Sequence, residues 1–299
     1  MGVVQKLKAS LDLTRAHFLI VWPILFSSGL FLAFENYGGF DILLVAKVVA
    51  IAIFGFEAGL VLNDYIDRTI DTRDVESSLT RYWRPFGSRP IAQGLISPMA
   101  GFLVFLLCAA IAIALILTIE PPHSWFVLGF LAYSYTVEAF YQLKKRRQRF
   151  PVAQIVGRTD LALFPVAGYL SWGFPDATAL LYFVFLYPWA LAHLGVNDLA
   201  DVRNDRARNL TTIPVLYGMR GGMLWVGLFS ALHLAVAFAF FWGMGPVPKI
   251  AAILAGFCIL GGNSIVIRNT TPESSLRALP LFHVSLLLYA VGILGGYWL

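Results

Sequence analysis

Charged residues are scarce in this sequence. Only 13% of its 299 residues are Asp, Glu, Lys or Arg, whereas 59% are hydrophobic, and a soluble domain usually carries about 25% charged residues. The mean hydropathy of +0.74 agrees. A water-soluble fold has too little interior to bury this much apolar surface, so the composition predicts an integral membrane protein.

Cysteine is also rare. Cys108 and Cys258 each fall in the middle of an apolar run, which favours small buried side chains over a disulfide. Low-complexity segments are absent as well. The first apolar run contains Pro23 and is too long for a cleavable signal peptide. We therefore expect one transmembrane domain over residues 1–299.

Apolar runs long enough to cross about 30 Å of hydrocarbon recur along the whole chain. The sequence predicts an all-α, polytopic membrane protein of nine transmembrane helices around a central cavity. The predicted spans are 16–34, 41–63, 97–119, 123–141, 152–171, 179–197, 222–243, 248–268 and 278–299.

The basic residues are distributed unevenly between the two sides of this arrangement. Of the 22 Lys and Arg residues, only Lys47 and Lys249 lie outside the segments that share the side of the amino terminus. The positive-inside rule then places the amino terminus in the cytoplasm and the carboxyl terminus outside the cell membrane. The net charge of +5 is explained by this topology, so we expect no nucleic-acid partner.

One motif occurs twice. The segments 63–71 and 197–205 both read Asn-Asp-x-x-Asp-x-x-x-Asp, and they end the second and the sixth predicted span. Four spans separate them, so both emerge on the cytoplasmic side. This spacing predicts two four-helix repeats plus one further helix, with the two motifs facing each other across one cavity.

Residues i, i+4 and i+8 fall close to one face of a helix, which aligns the acidic residues of each motif. Such columns of like charge are unfavourable near a membrane unless a cation neutralises them. Oxygen ligands alone favour a hard ion such as Mg²⁺, which takes one or two carboxylates plus substrate phosphates. The predicted metal ligands are Asn63, Asp67, Asp71, Asn197, Asp198, Asp201 and Asp205.

Basic and aromatic residues lie near the motifs in the sequence. Tyr141 and Lys145 share a helix face with Glu138, and Arg89 begins the segment that leads into the third span. We predict that they contact the oxygens of a diphosphate, although topology alone would also account for the charges. Arg158 lies inside the fifth span, where it either serves the site or pairs with Asp160.

At these residues the chain resembles the UbiA-type superfamily of intramembrane prenyltransferases. The resemblance covers nearly the whole chain and includes Thr14-Arg15, both acidic motifs, Tyr141, Lys145 and the stretch 211–214. It implies a nine-helix fold, Mg²⁺ and a prenyl diphosphate donor whose chain lies in an apolar tunnel. It also implies that Arg15, Arg89, Tyr141, Lys145 and Arg158 bind the diphosphate.

The segments 63–67 and 93–97 look most like the menaquinone branch, which prenylates a naphthoate. The chain departs from that branch at Asn197-Asp198 and at Ala200, so the acceptor stays open. Hydroxybenzoate, a prenylated glycerol phosphate and a tetrapyrrole are the alternatives. The mechanism that we expect is ionisation of the diphosphate followed by alkylation of a lipophilic or aromatic acceptor, with Asp64 or Asp198 removing a proton or orienting the acceptor.

Other classes of membrane protein fit less well. A cation-coupled transporter also uses repeats and intramembrane carboxylates, but its repeats are more often inverted and its helices broken near the midplane. An alcohol phosphotransferase would carry an Asp-Gly-x-x-Ala-Arg signature, which is absent. A non-catalytic assembly factor would not need two columns of metal ligands.

Overall fold

The computed structural model describes residues 2–298, and all regular structure in this range is helical. The longer helices are α2 (Val21–Tyr37), α3 (Ile42–Asp67), α5 (Pro98–Ile116), α6 (His123–Lys144), α8 (Thr159–Leu170), α9 (Ala177–Ala200), α11 (Ile213–Trp242), α12 (Pro246–Arg268) and α13 (Pro272–Gly296). The shorter ones are α1 (Val3–Leu13), α4 (Ser78–Trp83), α7 (Val152–Gly157) and α10 (Val202–Ala207). Short 3₁₀ segments occupy Ala16–Phe18 and Asp71–Arg73.

Membrane-spanning length and composition are found in seven helices within residues 2–298. These are the segment Ala16–Tyr37 together with α3, α5, α9, α11, α12 and α13. The chain is a multi-pass integral membrane protein, as predicted. The other two predicted spans coincide with α6 and with the pair α7–α8, which are not among the seven. Nine crossings therefore remain a prediction.

The fifth predicted span, 152–171, is two helices rather than one. The backbone of Arg158 has φ −97° and ψ 1°, and it separates α7 from α8. A second irregularity lies in α11, where Gly218 has φ 72°. This left-handed conformation suits glycine because it has no β-carbon. Hydropathy averages over such breaks, so it did not locate either of them.

Some helices begin directly after an acidic side chain that caps their first turn, so the position of that residue marks where the helix starts. The carboxylate of Asp41 accepts hydrogen bonds from the backbone of Leu43 and Leu44 at 2.8 and 3.1 Å and starts α3. Asp176 does the same for α9, accepting from the Ala179 backbone at 2.8 Å. These caps satisfy amide groups that the first turn of a helix leaves unpaired.

The core lies around α2, which packs extensively on α8. Two glycines make this contact possible. A β-carbon on Gly29 would lie 1.8 Å from the carbonyl oxygen of Pro165, and one on Gly168 would lie 1.9 Å from that of Phe26. Small residues allow helix backbones in membranes to approach this closely. Any larger residue at either position would force the two helices apart.

The halves of the chain show similar pairings, since α3 packs against α5 and α9 packs against α11. Each acidic motif begins at the end of the first helix of its pair and continues into the connecting segment. This arrangement agrees with the expected repeats, which nevertheless stay a prediction. It brings the two motif-bearing segments, with α4 and α10, to the same end of the helix bundle.

Candidate active site

One cavity receives both acidic motifs. Its polar end is lined by Asn63, Asp67, Asp71, Asn197, Asp198, Asp201 and Asp205, together with Arg15, Arg84, Arg89, Tyr141, Lys145, Arg158 and Arg208. Apolar side chains continue from this end, among them Trp22, Phe26, Ile116, Val127, Phe130 and Phe164. The structure therefore joins a charged chamber to an apolar compartment, in a cavity of about 280 Å³.

The first acidic cluster, Asp64, Asp67 and Asp71, is neutralised by basic side chains from elsewhere in the chain. Lys145 Nζ lies 2.6 Å from Asp67 Oδ2, and an Arg146 nitrogen lies 3.2 Å from the other oxygen. Asp71 pairs with Arg89 at 2.7 Å. Asp71 lies in the 3₁₀ segment after α3 and not on a continuous helical column as predicted, but it still lines the cavity.

Asp64 occupies a different environment from its neighbours. Arg84 contacts both of its carboxylate oxygens, at 2.7 and 2.8 Å, and Arg15 contacts one at 3.2 Å. Both arginines line the cavity, whereas Asp64 is not among the lining residues. Asp64 therefore holds two arginines at the cavity wall. Its two expected roles, removal of a proton or orientation of the acceptor, stay predictions.

The second acidic cluster, Asp198, Asp201 and Asp205, has mostly neutral partners. Asn204 donates to Asp201 at 2.7 Å and Thr212 donates to Asp205 at 2.7 Å. The backbone amide of Ile213 reaches Asp198 at 3.4 Å. The ion pair within this cluster is between Arg208 and Asp201, at 3.4 Å. Much of its negative charge is thus balanced only weakly by the surrounding side chains.

Burial has an electrostatic consequence for the acids outside the spans. It raises the pKa of Asp71 despite the nearby Arg89 and Arg208, and it raises the pKa of Asp201 despite Arg208. For Asp205, burial and the charges of Asp201 and Asp198 together raise the pKa well above its usual range. A bound cation would oppose these shifts because it stabilises the charged carboxylates.

The two asparagines of the motifs are not equivalent. Asn63 donates to Glu138 at 2.7 Å, which leaves its amide oxygen available. The amide oxygen of Asn197 accepts a hydrogen bond from the indole N–H of Trp83 at 3.1 Å. Both asparagines are predicted metal ligands. The amide oxygen of Asn63 suits this role better than that of Asn197, which already accepts a hydrogen bond.

Tyr141 lies between two cations. Lys145 Nζ is 5.1 Å and the Arg158 guanidinium carbon is 5.2 Å from the centre of its ring. This places three predicted diphosphate-binding residues side by side on the cavity wall. Within residues 2–298, no ion pair joins Arg158 to Asp160, so the alternative prediction that they pair was wrong.

Two arginines of the site escaped the sequence reasoning. Arg84 is 3% and Arg208 6% exposed, and Arg208 connects the motifs by approaching Asp71 at 3.6 Å and Asp201 at 3.4 Å. The sequence predicts for both only a role in setting the membrane topology. Their place in the long inner segments 64–96 and 198–221 was the one signal that could have singled them out.

The ligands available in the charged chamber are oxygen atoms of Asp and Asn, the kind that the predicted Mg²⁺ prefers. Within residues 2–298, no three Asp, Glu, His or Cys side chains converge as a ready-made metal site. Mg²⁺ does not require one, because it usually keeps several waters and binds one or two carboxylates plus substrate phosphates. In addition, the buried Oδ1 of Asp71 has no hydrogen-bond partner among residues 2–298, and Arg208 Nε lies 3.6 Å from it. The residues present fit Mg²⁺ that arrives with a phosphate-bearing substrate.

Comparison with known proteins gives a consistent result. The profile of the UbiA prenyltransferase family matches residues 20–287. A 4-hydroxybenzoate octaprenyltransferase of Saccharophagus degradans is 26% identical over 90% of this chain and 84% of the relative. A protoheme IX farnesyltransferase of Stutzerimonas stutzeri is 27% identical over 89% and 86%. A digeranylgeranylglyceryl phosphate synthase of Methanothermobacter thermautotrophicus is 29% identical over 67% and 70%.

Solved structures share the fold. A UbiA homolog from Aeropyrum pernix superposes with a TM-score of 0.73 at 17% identity, covering 94% of this chain and 96% of that one. A UbiA homolog from Archaeoglobus fulgidus bound to DMAPP and Mg²⁺ gives a TM-score of 0.64 at 15% identity, covering 94% and 99%.

Proposed function

Because the chain belongs to the UbiA prenyltransferase family, we propose that it transfers a prenyl group from a prenyl diphosphate to a lipophilic acceptor within the membrane, with Mg²⁺ as cofactor. The observation that carries this proposal is the single cavity in which two acidic clusters and several buried cations meet an apolar compartment. A diphosphate with its metal ions suits the charged chamber, and a prenyl chain suits the apolar compartment.

The residues that would hold Mg²⁺ are Asp67, Asp71, Asp201 and Asp205, supported by Asn63 and Asp198, with Asn197 the least suited of the predicted ligands. When bound, Mg²⁺ supplies charge neutralisation to the diphosphate oxygens and stabilises them as the leaving group. Asp71 and Asp201 are already linked through Arg208, which supports their joint action on one ligand.

The cations that neutralise the first cluster have a second use. Lys145 and Arg89 are paired with Asp67 and Asp71, and their ammonium and guanidinium groups are strong donors to phosphate oxygens. With Mg²⁺ as the counter-charge of the carboxylates, Lys145 and Arg89 would be free to donate to the departing diphosphate. Tyr141, Arg158 and Arg15 line the same chamber and are proposed to assist.

The apolar compartment would hold the prenyl chain and exclude water. Trp22 stacks on Phe56 with ring centres 3.6 Å apart, and Phe164 contacts the edges of Phe26 and Phe56. Aromatic faces and aliphatic side chains contain no nucleophile that could trap an allylic cation. Ionisation of the donor would therefore be followed by attack of the acceptor on C1, with the leaving proton taken by a nearby base such as Asp198.

The acceptor is the open part of the proposal. The relatives act on a benzoate, on a haem and on a glyceryl phosphate by their names, so they do not single out one class. We favour an aromatic quinone precursor, including the naphthoate of the menaquinone-like resemblance, because Trp83 and His193 line the cavity beside the second cluster. Flat aromatic surfaces suit a flat acceptor.

The proposed enzyme would be tested by diphosphate release. Purified protein in lipid is given labelled prenyl diphosphates with Mg²⁺ or with EDTA, and with hydroxybenzoate, dihydroxynaphthoate, prenylated glycerol phosphate or a haem as acceptor. We expect Mg²⁺-dependent release coupled to alkylation of one aromatic acceptor. Release that is insensitive to EDTA, or the absence of any prenylated product, would contradict the proposal.

A further inference from the structure

The amino-terminal helix α1 is joined to a loop that carries two arginines of the site. Asp12, in the last turn of α1, is fully buried and accepts three hydrogen bonds from that loop. The backbone N–H of Phe86 donates to one carboxylate oxygen at 2.7 Å. The backbone N–H and the hydroxyl of Ser88 donate to the other oxygen at 2.8 and 2.5 Å. One side chain of α1 therefore fixes the turn 86–88.

The turn presents its amides to this carboxylate. Gly87, between the two amides that bind Asp12, has φ 72°, a left-handed conformation that suits glycine. Backbone amides that converge in a turn form a concave site for an anion. Within residues 2–298, no ion pair joins Asp12 to a basic side chain. The three hydrogen bonds therefore compensate the burial of its charge, which would otherwise be costly.

The turn lies between Arg84 and Arg89 in the chain, and both arginines line the cavity. Arg84 is buried, and Arg89 contacts Asp71 of the first acidic cluster at 2.7 Å. Arg89 directly follows Ser88, whose backbone and hydroxyl are both bound to Asp12. The position of the Arg89 backbone is therefore set by a residue of α1.

The same end of α1 also meets the first cluster directly. Arg15 has φ 45°, a left-handed conformation that is uncommon for residues other than glycine. Such geometry persists where the surrounding structure fixes it. The Arg15 side chain lies 3.2 Å from Asp64, which Arg84 contacts at 2.7 Å. The contacts thus form a closed ring, which runs from the turn through Arg84 and Asp64 back to α1.

We infer that Asp12 is a positioning residue of the active site, which holds the turn 86–88 so that the guanidinium of Arg89 is in place for the diphosphate of the prenyl donor. The inference rests on the proposed function. Asp12 lies outside the cavity, so it acts through the loop and not on the substrate. Its hydrogen bonds matter for binding because a loop that is already ordered does not lose that conformational entropy when the ligand arrives.

The test measures the dissociation constant of a non-hydrolysable prenyl diphosphate analogue with Mg²⁺, using the whole chain in lipid, so that it depends neither on turnover nor on the acceptor. Asp12→Ala should bind the analogue about tenfold more weakly. Ser88→Ala removes the hydroxyl donor and keeps both amides, so it should bind about threefold more weakly, the effect of one modest hydrogen bond. The milder variant decides the question if Asp12→Ala does not fold.

A second measurement separates positioning from general stability. In an Arg89→Ala background, neither Asp12→Ala nor Ser88→Ala should cause a further loss of affinity, because the residue through which they act is already absent. Both should still lower the melting temperature, since the hydrogen bonds to the turn are lost in either background. A loss of affinity of the same size in both backgrounds would overturn the inference.

The matched control is Asp176→Ala at the start of α9. Asp176 also accepts hydrogen bonds from three neutral donors, which are the Ala179 backbone at 2.8 Å and the hydroxyls of Tyr37 and Tyr169 at 2.7 and 2.6 Å. It lies outside the cavity. This variant should lose thermal stability and keep the dissociation constant of the analogue. An equal loss of affinity in Asp176→Ala and Asp12→Ala would leave Asp12 only a structural role.

Failure of the proposed function gives a different result. If wild type does not bind the analogue with Mg²⁺, or binds it equally well with EDTA, the proposed diphosphate site is wrong and the inference falls with it. If wild type requires Mg²⁺ for binding and the variants Asp12→Ala and Ser88→Ala bind as tightly as wild type, only the inference about Asp12 is overturned.

Discussion

The two acidic motifs have the same sequence pattern and different electrostatic surroundings. In the first, Asp67 and Asp71 are met by Lys145 and Arg89 at 2.6 and 2.7 Å. In the second, Asp201 and Asp205 are met chiefly by the neutral groups of Asn204 and Thr212 at 2.7 Å. The first cluster is therefore neutralised by basic side chains, and the second is neutralised much less.

The two motifs therefore repeat the sequence pattern but not the set of basic residues that neutralises it. The sequence predicts that a column of carboxylates needs a divalent cation. In the first cluster, however, Lys145 and Arg89 already supply positive charge. If Mg²⁺ binds as proposed, it would compete with Lys145 and Arg89 at the first cluster and would relieve repulsion between carboxylates at the second. The first cluster would then free basic donors for the diphosphate, and the second cluster would hold the metal ion.

The largest expected effect removes one acid from each cluster. Asp67→Ala and Asp201→Ala should each lower prenyl transfer about 100-fold or more, equal to about 2.7 kcal/mol of transition-state stabilisation. The double variant should be little worse than either, because residues acting as a unit are strongly non-additive. Steady-state rates of the three variants measure this, and near-normal activity in either single variant would show that the clusters do not form one site.

The same two substitutions should differ in stability. Without metal, Asp67→Ala strands the buried Lys145 and should lower the free energy of unfolding by about 3 kcal/mol, as breaking a buried ion pair does. Asp201→Ala removes a poorly balanced charge and should leave the melting temperature unchanged or higher. Thermal unfolding with EDTA compares them, and equal destabilisation would abolish the distinction between the clusters.

A smaller effect is expected at the donors that the first cluster holds. Lys145→Ala and Tyr141→Phe should slow turnover about tenfold without preventing folding, because each removes a group that stabilises the leaving diphosphate. Lys144→Ala is the matched control, since Lys144 is the exposed neighbour of Lys145. If Lys145→Ala and Lys144→Ala have the same rate, Lys145 serves only the topology.

The pH dependence of the metal-free protein should reveal the second cluster. Since burial and neighbouring acids raise the pKa of Asp205 above its unfolded value, the folded state binds more protons, and stability falls as pH rises from about 4 through the folded pKa. Asp205→Asn keeps the hydrogen bond to Thr212 and should flatten this fall. Melting temperatures with EDTA over a pH series measure it; a steeper fall in the variant would reverse the assignment.

No change in activity is expected from the last test, which asks whether both clusters open to the same side. In a background without cysteine, Ser78→Cys and Asn209→Cys lie in the exposed parts of the two motif-bearing segments. An impermeant thiol reagent should label both from the cytoplasm, and Tyr37→Cys from outside. Labelling of Ser78→Cys and Tyr37→Cys from the same side would contradict the predicted orientation.

Much of the architecture follows from local pattern. Apolar runs of spanning length predict helices in the membrane whatever their neighbours, and capping residues such as Asp41 and Asp176 begin helices by bonds within one turn. The pairing of two motifs across one cavity also agrees with the sequence, in which four predicted spans between them return the chain to the same side. Tyr141 and Lys145 share a face for the same periodic reason.

The partners of each charge were decided only by the tertiary structure. Arg208 and Arg84 look like any other loop arginines in the sequence, yet one connects the two clusters and the other grips Asp64. Trp83 and His193 meet at Asn197 although Trp83 is far from both in the sequence, and the break at Arg158 divides a run that hydropathy reads as continuous. Hydropathy and helical periodicity are local quantities, whereas counter-charges and hydrogen-bond directions depend on residues far apart in the chain, which only the packed bundle brings together.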